Sequence, residues 1–142
     1  MVQSPYNTRI IFGTKDGSMG IAYLVVAIVL AAMVLFSGVG KLRNDPHIVK
    51  VIHETVGVPM KYFPLLAACE IAGAVGLVLG IWWPILGIAA ATGLVIYFVG
   101  AVVSHVQVND LKGIGPAAML LTMSAAALIL RVLAHHIFSP AL

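Results

Sequence analysis

Three long runs of the chain, residues 17–40, 71–104 and 113–130, contain no Asp, Glu, Lys or Arg. A bilayer core of about 30 Å is crossed by about 20 residues of apolar helix. The first run predicts a span over about 21–40. Around the second, only Trp82-Trp83 separate two apolar stretches, which predicts spans over about 63–81 and 84–105. So short a join forces an antiparallel hairpin, and paired indoles suit the headgroup boundary. A last span, over about 115–134, starts with Pro116 in its first turn, where a missing N–H leaves no partner unmatched. The pattern predicts an all-α, polytopic membrane four-helix bundle.

Between the first two spans the period changes. Ile48, Val49, Val51, Ile52 and Val56 are interleaved with His47, Lys50, His53 and Glu54, a helical spacing. Asp45 reads as N-cap, Pro46 as first helical residue and Gly57 as the stop. The stretch 46–56 is thus expected to be a short amphipathic helix at the membrane interface after the first span, and a surface helix with no ligand is its simplest role. Residues 1–20 read as a polar N-terminal arm at the membrane surface, against a partner or a neighbouring subunit or else loose, and 135–142 as a short C-terminal tail. The first span is expected to be retained rather than cleaved, because a polar leader precedes it and its uncharged length exceeds a signal core.

Composition supports the membrane reading: 61% of residues are hydrophobic and 9% charged. The net charge of +3 comes from few ionisable groups, without a basic run, so nucleic-acid binding gains no support. Lys and Arg favour the side of the first and third loops (41, 43, 50, 61 and 112) over the other (9, 15 and 131), a bias too small to fix orientation. The single cysteine, Cys69, excludes an internal disulfide and a CxxC redox motif, and it reads as a small core residue. Met33, Met119 and Met123 read as packing rather than copper ligands. Arg131, His135 and His136 read as an interfacial helix end, and no facing pair of membrane histidines suggests a haem.

Lipid tails give no hydrophobic drive between helices, so close packing of small residues must supply contact. Gly38 on the first span, Ala72, Gly76 and Gly80 on the second, and Ala89 and Gly93 on the third are the candidates, in the bundle or at an oligomer seam. Polar residues collect at one end: alternating spans bring Lys41, Glu70, His105, Asp110 and Lys112 to one side of the membrane. Glu70 lies seven residues inside its span, about 10 Å along the helix. An ionisable group at such depth costs about 2.5–3.5 kcal/mol and needs a partner or a proton. Lys41 is the best-placed counter-ion and His105 the next. The group is either a clamp that fixes helix register or a ligand or proton site. Metal binding is disfavoured, since neither HExxH nor CxxC is present, although His47, His53 and His105 could approach one another. No complete catalytic set stands in the sequence, which weighs against an enzyme.

Ser37-Gly38-Val39-Gly40-Lys41-Leu42 closing the first span, Gly57-Val58-Pro59 before the second and Glu70-Ile71-Ala72-Gly73-Ala74-Val75-Gly76-Leu77 within it resemble the DoxX-like family of small four-helix bacterial membrane proteins. His105, Asp110 and Pro116 fit less specifically. The resemblance covers about 21–134 and implies a four-span bundle with an interfacial segment, in the bacterial cytoplasmic (inner) membrane. Relatives are linked to quinol oxidases, to sulfur and quinone redox complexes and to oxidative-stress assemblies. The resemblance therefore implies a non-catalytic subunit or assembly factor of a membrane-associated redox or envelope complex. Its alternative is a redox protein handling a quinone or other small molecule at Lys41, Glu70 and His105; an oligomeric transporter is a weaker third. No cofactor is evident, with quinone or lipid as the ligand classes left open. Expected partners are membrane lipids and a homo-oligomer or heteromeric membrane complex. Four spans place both termini on one side of the membrane. Accessibility tags at Gly20 and Leu142 should label from the same side, and opposite-side labelling would eliminate the four-span topology.

Overall fold

A computed structural model describes the backbone from residue 5 to 138 and the side chains from 17 to 135. Helix α1 spans Pro5–Leu42, α3 Phe63–Leu79, α4 Pro84–Gln107 and α5 Ile114–Phe138. Between α1 and α3 lies α2, an α-turn over Pro46–Ile48 that continues as a π-helix over Val49–Thr55, and a 3-10 turn over Met60–Tyr62 leads into α3. Four segments are long and apolar enough to cross a membrane: Gly17–Leu42, Met60–Leu79, Pro84–Gln107 and Ile114–His135. They coincide with the four spans expected from the charge-free runs. The arm expected over 1–20 is, from Pro5 onward, backbone continuous with the first span; residues 1–4, and side chains as far as 16, lie outside the described residues. In the expected tail α5 continues to Phe138; residues 139–142 and the His136 side chain also fall outside them.

The helices form a square in which α1 neighbours α3 and α5, and α4 neighbours the same two. Its axis is filled by Leu30, Val34, Leu77, Leu94 and Phe98, with Ala27, Ala91 and Ala127 buried among them. Only 22–33% of each crossing segment is buried. Outward faces carry Phe36, Ile85, Ile96 and Leu65 at 62–81% exposure, an apolar surface that a bilayer would cover.

Small residues join the helices, and on α3 the expected Gly76 and Gly80 do so while Gly73 takes the place of Ala72. At 3.6 residues per turn, Gly73 lies about 20° round the helix from Gly80, whereas Ala72 lies about 80° away. Gly73 accordingly meets Leu94, Gly76 meets Ala90, and Gly80 abuts the backbone of Gly87. Ala72, Ala89 and Gly93 are exposed, and an added Cβ at Gly93 would meet nothing within 4 Å, so within this chain these three make no helix seam. Gly38 does: a Cβ there would lie 3.3 Å from the Ala67 carbonyl oxygen, on the α1–α3 contact. Cys69 is also exposed, on the outer face of α3, rather than in the core.

Segment α2 begins as the sequence predicts. Asn44, at φ 51°, turns the chain, and Asp45 Oδ1 accepts from the His47 and Ile48 amides at 2.9 and 3.4 Å. Gly57, at φ 85°, ends it in a conformation that other residues rarely adopt. The wider turn between is the departure from the expected helix: Val49, Val51, Ile52, Thr55 and Val56 crowd an α-helix at their branched Cβ atoms. The Thr55 hydroxyl also donates to the Lys50 carbonyl five residues back, at 3.0 Å. Ile48 fills the space above Gly40, which tethers α2 to the end of α1.

Replacing Gly80 with Ala drives a methyl into the Gly87 backbone, while Gly93→Ala points into open space. Overpacking commonly costs about 1–3 kcal/mol. Thermal unfolding in detergent should show Gly80→Ala clearly destabilised and Gly93→Ala close to wild type; equal stability of the two would place the α3–α4 seam elsewhere.

Candidate functional site

At the end of the bundle that bears α2, the last turn of α1 and the second turn of α3 each contribute one charge. Lys41 and Glu70 are 4% and 1% exposed, and Lys41 Nζ lies 2.8 Å from Glu70 Oε2 and 2.9 Å from Oε1. It also donates to Ser37 Oγ at 2.8 Å, and Ser37 donates to Glu70 Oε1 at 3.2 Å. Ser37 and Lys41 are four residues apart and share one face of α1. The three hydrogens of the ammonium group thus have three acceptors within the protein. Tyr97 of α4 approaches the same carboxylate. Ser37 and Tyr97 were not among the residues expected here; the spacing of Ser37 from Lys41 was the readable signal for the first.

A second pair is built by the turn between α4 and α5. Asn109, at φ 56°, reverses the chain so that the Asp110 amide reaches the His105 carbonyl at 3.0 Å. The Asp110 side chain then folds back: Oδ2 lies 2.9 Å from His105 Nδ1, and Oδ1 accepts from the Gly113 amide at 3.1 Å. Gly113 must lack a side chain, because a Cβ there would collide with Asp110 Oδ2 and the His105 ring. With Asp110 as acceptor, the Nδ1 proton is held and the imidazole orientation fixed. Among the described residues, Nε2 has no hydrogen-bond partner.

Both pairs line one cavity of about 690 Å³, within the 300–1,000 Å³ usual for small-molecule sites. α2 contributes six of its lining residues and covers it, while Leu66, Phe98, Ala101 and Leu120 give it apolar walls. Lys50, His47 and Lys112 line it too. Among the expected site residues, then, Lys41, Glu70, His105 and Asp110 come together around one space. His53 does not join them: its Nδ1 lies 2.9 Å from the Val58 carbonyl. No group of three metal-ligating side chains occurs among the described residues.

The model of the DoxX-like family matches residues 25–127. The chain belongs to the DoxX-like family. The matched segment holds all four cavity pair members and most of the four spans, so this DoxX-like chain is an integral, multi-pass membrane protein. No curated protein and no solved structure matches it.

At the other end of the bundle, Arg131 does more than mark a helix boundary. Its guanidinium lies 4.9 Å above the Tyr23 ring and donates to the Ile81 carbonyl at 3.3 Å, where α3 has ended. Tyr23 in turn donates to the Leu77 carbonyl at 3.0 Å. These residues close that end.

Breaking one half of a buried ion pair strands the other charge, at about 3–5 kcal/mol in soluble proteins, whereas removing both is often nearly neutral. Lys41→Met and Glu70→Gln should each lower folded yield and thermal stability more than the double variant does. Additive losses would mean that the two side chains are not coupled.

Proposed function

We propose that the DoxX-like chain binds the head group of a membrane-borne amphiphile, of the quinone or lipid class, in the cavity beneath α2. One observation carries the reading: a cavity with apolar walls is lined by a histidine whose Nδ1 is fixed by Asp110 and whose Nε2 has no hydrogen-bond partner among the described residues. Nε2 can accept from a hydroxyl or, when protonated, donate to an oxygen. The Lys41–Glu70–Ser37 cluster is the floor. Its ammonium is already saturated, so it sets the polarity and width of the site and leaves the directed contact to His105.

The reading of the chain as a non-catalytic subunit or assembly factor in a redox or envelope complex of the bacterial inner membrane draws on a different feature. Ala72, Ala89 and Gly93 leave flat patches on the outer faces of α3 and α4, which suit close approach of another membrane helix. The two roles are compatible, and the cavity is the more specific of the two features.

Gly100 lines the cavity, yet an added Cβ would meet nothing within 4 Å, so Gly100→Trp fills the site without a clash at its root. Protein purified in mild detergent should release on organic extraction a near-stoichiometric amphiphile, identified by mass spectrometry. Gly100→Trp and His105→Ala should lose it while remaining folded. Wild-type and variant extracts that both match the bulk lipid would overturn the proposal.

A further inference from the structure

The charges around the cavity do not balance: Lys41, Lys50 and Lys112 face Glu70 and Asp110, an excess of one positive charge with the histidines neutral. Its two carboxylates are both engaged, Glu70 by Lys41 and Ser37, Asp110 by His105 and the Gly113 amide. Lys50 from α2 and Lys112 from the α4–α5 turn line the same cavity, on its exposed side, and among the described residues neither has an ion-pair partner. Of the acids nearest Lys50 in sequence, Asp45 caps α2, and Glu54 is exposed and outside the cavity wall. A cleft lined by excess charge of one sign, with low-dielectric walls, concentrates ligands of the opposite sign.

From this we infer that the occupant is an acidic amphiphile, its phosphate or carboxylate held at the mouth by Lys50 and Lys112 with His105 below, and its chain on the apolar wall. The inference rests on the amphiphile reading of the cavity and narrows it. A neutral quinone would leave both lysines unused, and a zwitterionic head group would bring its own cation against them. A small soluble anion would leave the apolar wall, with Leu66, Phe98 and Leu120, uncovered. The lysines sit on two different elements, so the anion would also join α2 to the α4–α5 turn across the mouth.

The full chain in phosphatidylcholine nanodiscs, titrated and read by native mass spectrometry, tests this with four probes: oleoyl lysophosphatidic acid, oleoyl lysophosphatidylcholine, a short-chain ubiquinone and inorganic phosphate. The two lysolipids share chain and phosphate and differ in the choline. Lysophosphatidic acid should saturate at one per chain, about tenfold tighter than the others, a factor in keeping with two lysines near a membrane surface. The double variant Lys50→Gln/Lys112→Gln should erase that preference, while Arg43→Gln/Lys61→Gln, which removes two exposed charges outside the cavity wall, should keep it. Equal loss in both variants would reduce the effect to surface charge and overturn the inference. So would inorganic phosphate binding as tightly as the lipid. Saturable binding of lysophosphatidylcholine or quinone at equal affinity, indifferent to the lysines but blocked by Gly100→Trp, would defeat the acidic head group and leave the amphiphile reading standing. Failure of every amphiphile to saturate would defeat that reading itself.

Discussion

A lysine and a glutamate buried against each other inside an apolar slab are the constraint around which this bundle is arranged. Neither side chain could be left alone at that depth, and each belongs to a different helix, so their 2.8 Å contact fixes α1 against α3 in both rotation and height. Gly38 lies on the same contact, where an added Cβ would come 3.3 Å from the Ala67 carbonyl oxygen and 3.5 Å from the Glu70 Cβ. Ser37 completes the cluster by bonding to both charged groups. An apolar pair of similar volume could pack as well, but would lack the directional contacts of this geometry.

The two ends of the bundle solve the problem of polar groups in lipid differently. At the hairpin end, Gly80 and Gly87 bring α3 and α4 into backbone contact, and Tyr23 and Arg131 turn inward to meet the carbonyls of Leu77 and Ile81. At the α2 end, two polar pairs with their own partners occupy the wall, and α2 lies across the opening instead of filling it. The cavity follows from that difference. Its π-helical cover is held at one side by Ile48 on Gly40 and at the other by the left-handed turn at Gly57.

Most of this architecture was legible in the residue pattern, because a bilayer imposes a length and an absence of charge that soluble folds do not. The spans and the convergence of Lys41, Glu70, His105 and Asp110 on one end follow from those rules, and the Asp45 cap from the Asp-Pro pair that opens α2. On the α3 seam Gly76 and Gly80 lie where the spacing put them, but steps of four drift around the helix, so Ala72 leaves the face that Gly73, Gly76 and Gly80 share. Cys69 was read by its usual preference for burial, but its neighbour Glu70 claims the inward position, and adjacent residues on a helix point about 100° apart. The cavity itself left no sequence signal. Its volume depends on how far α2 stands from the bundle, which rests on a π-turn and on one isoleucine over one glycine. The role of Arg131 was hidden for a similar reason, since its distance to Tyr23 is set by the packing of α5 on α1.

The functional reading joins these observations. A membrane protein of the DoxX-like family carries at one end a lined, covered space with apolar walls, a saturated ionic floor, an oriented histidine and unpaired lysines at the rim. Each feature suits the head and chain of an amphiphile drawn from the bilayer. An experimental structure of the chain in a lipid nanodisc tests this most directly. The account predicts elongated non-protein density in the cavity, with a polar end within about 3.2 Å of His105 Nε2, the reach of a hydrogen bond. A cavity collapsed by α2 packing onto Phe98 and Leu66, with His105 Nε2 bonded inside the protein, would contradict it.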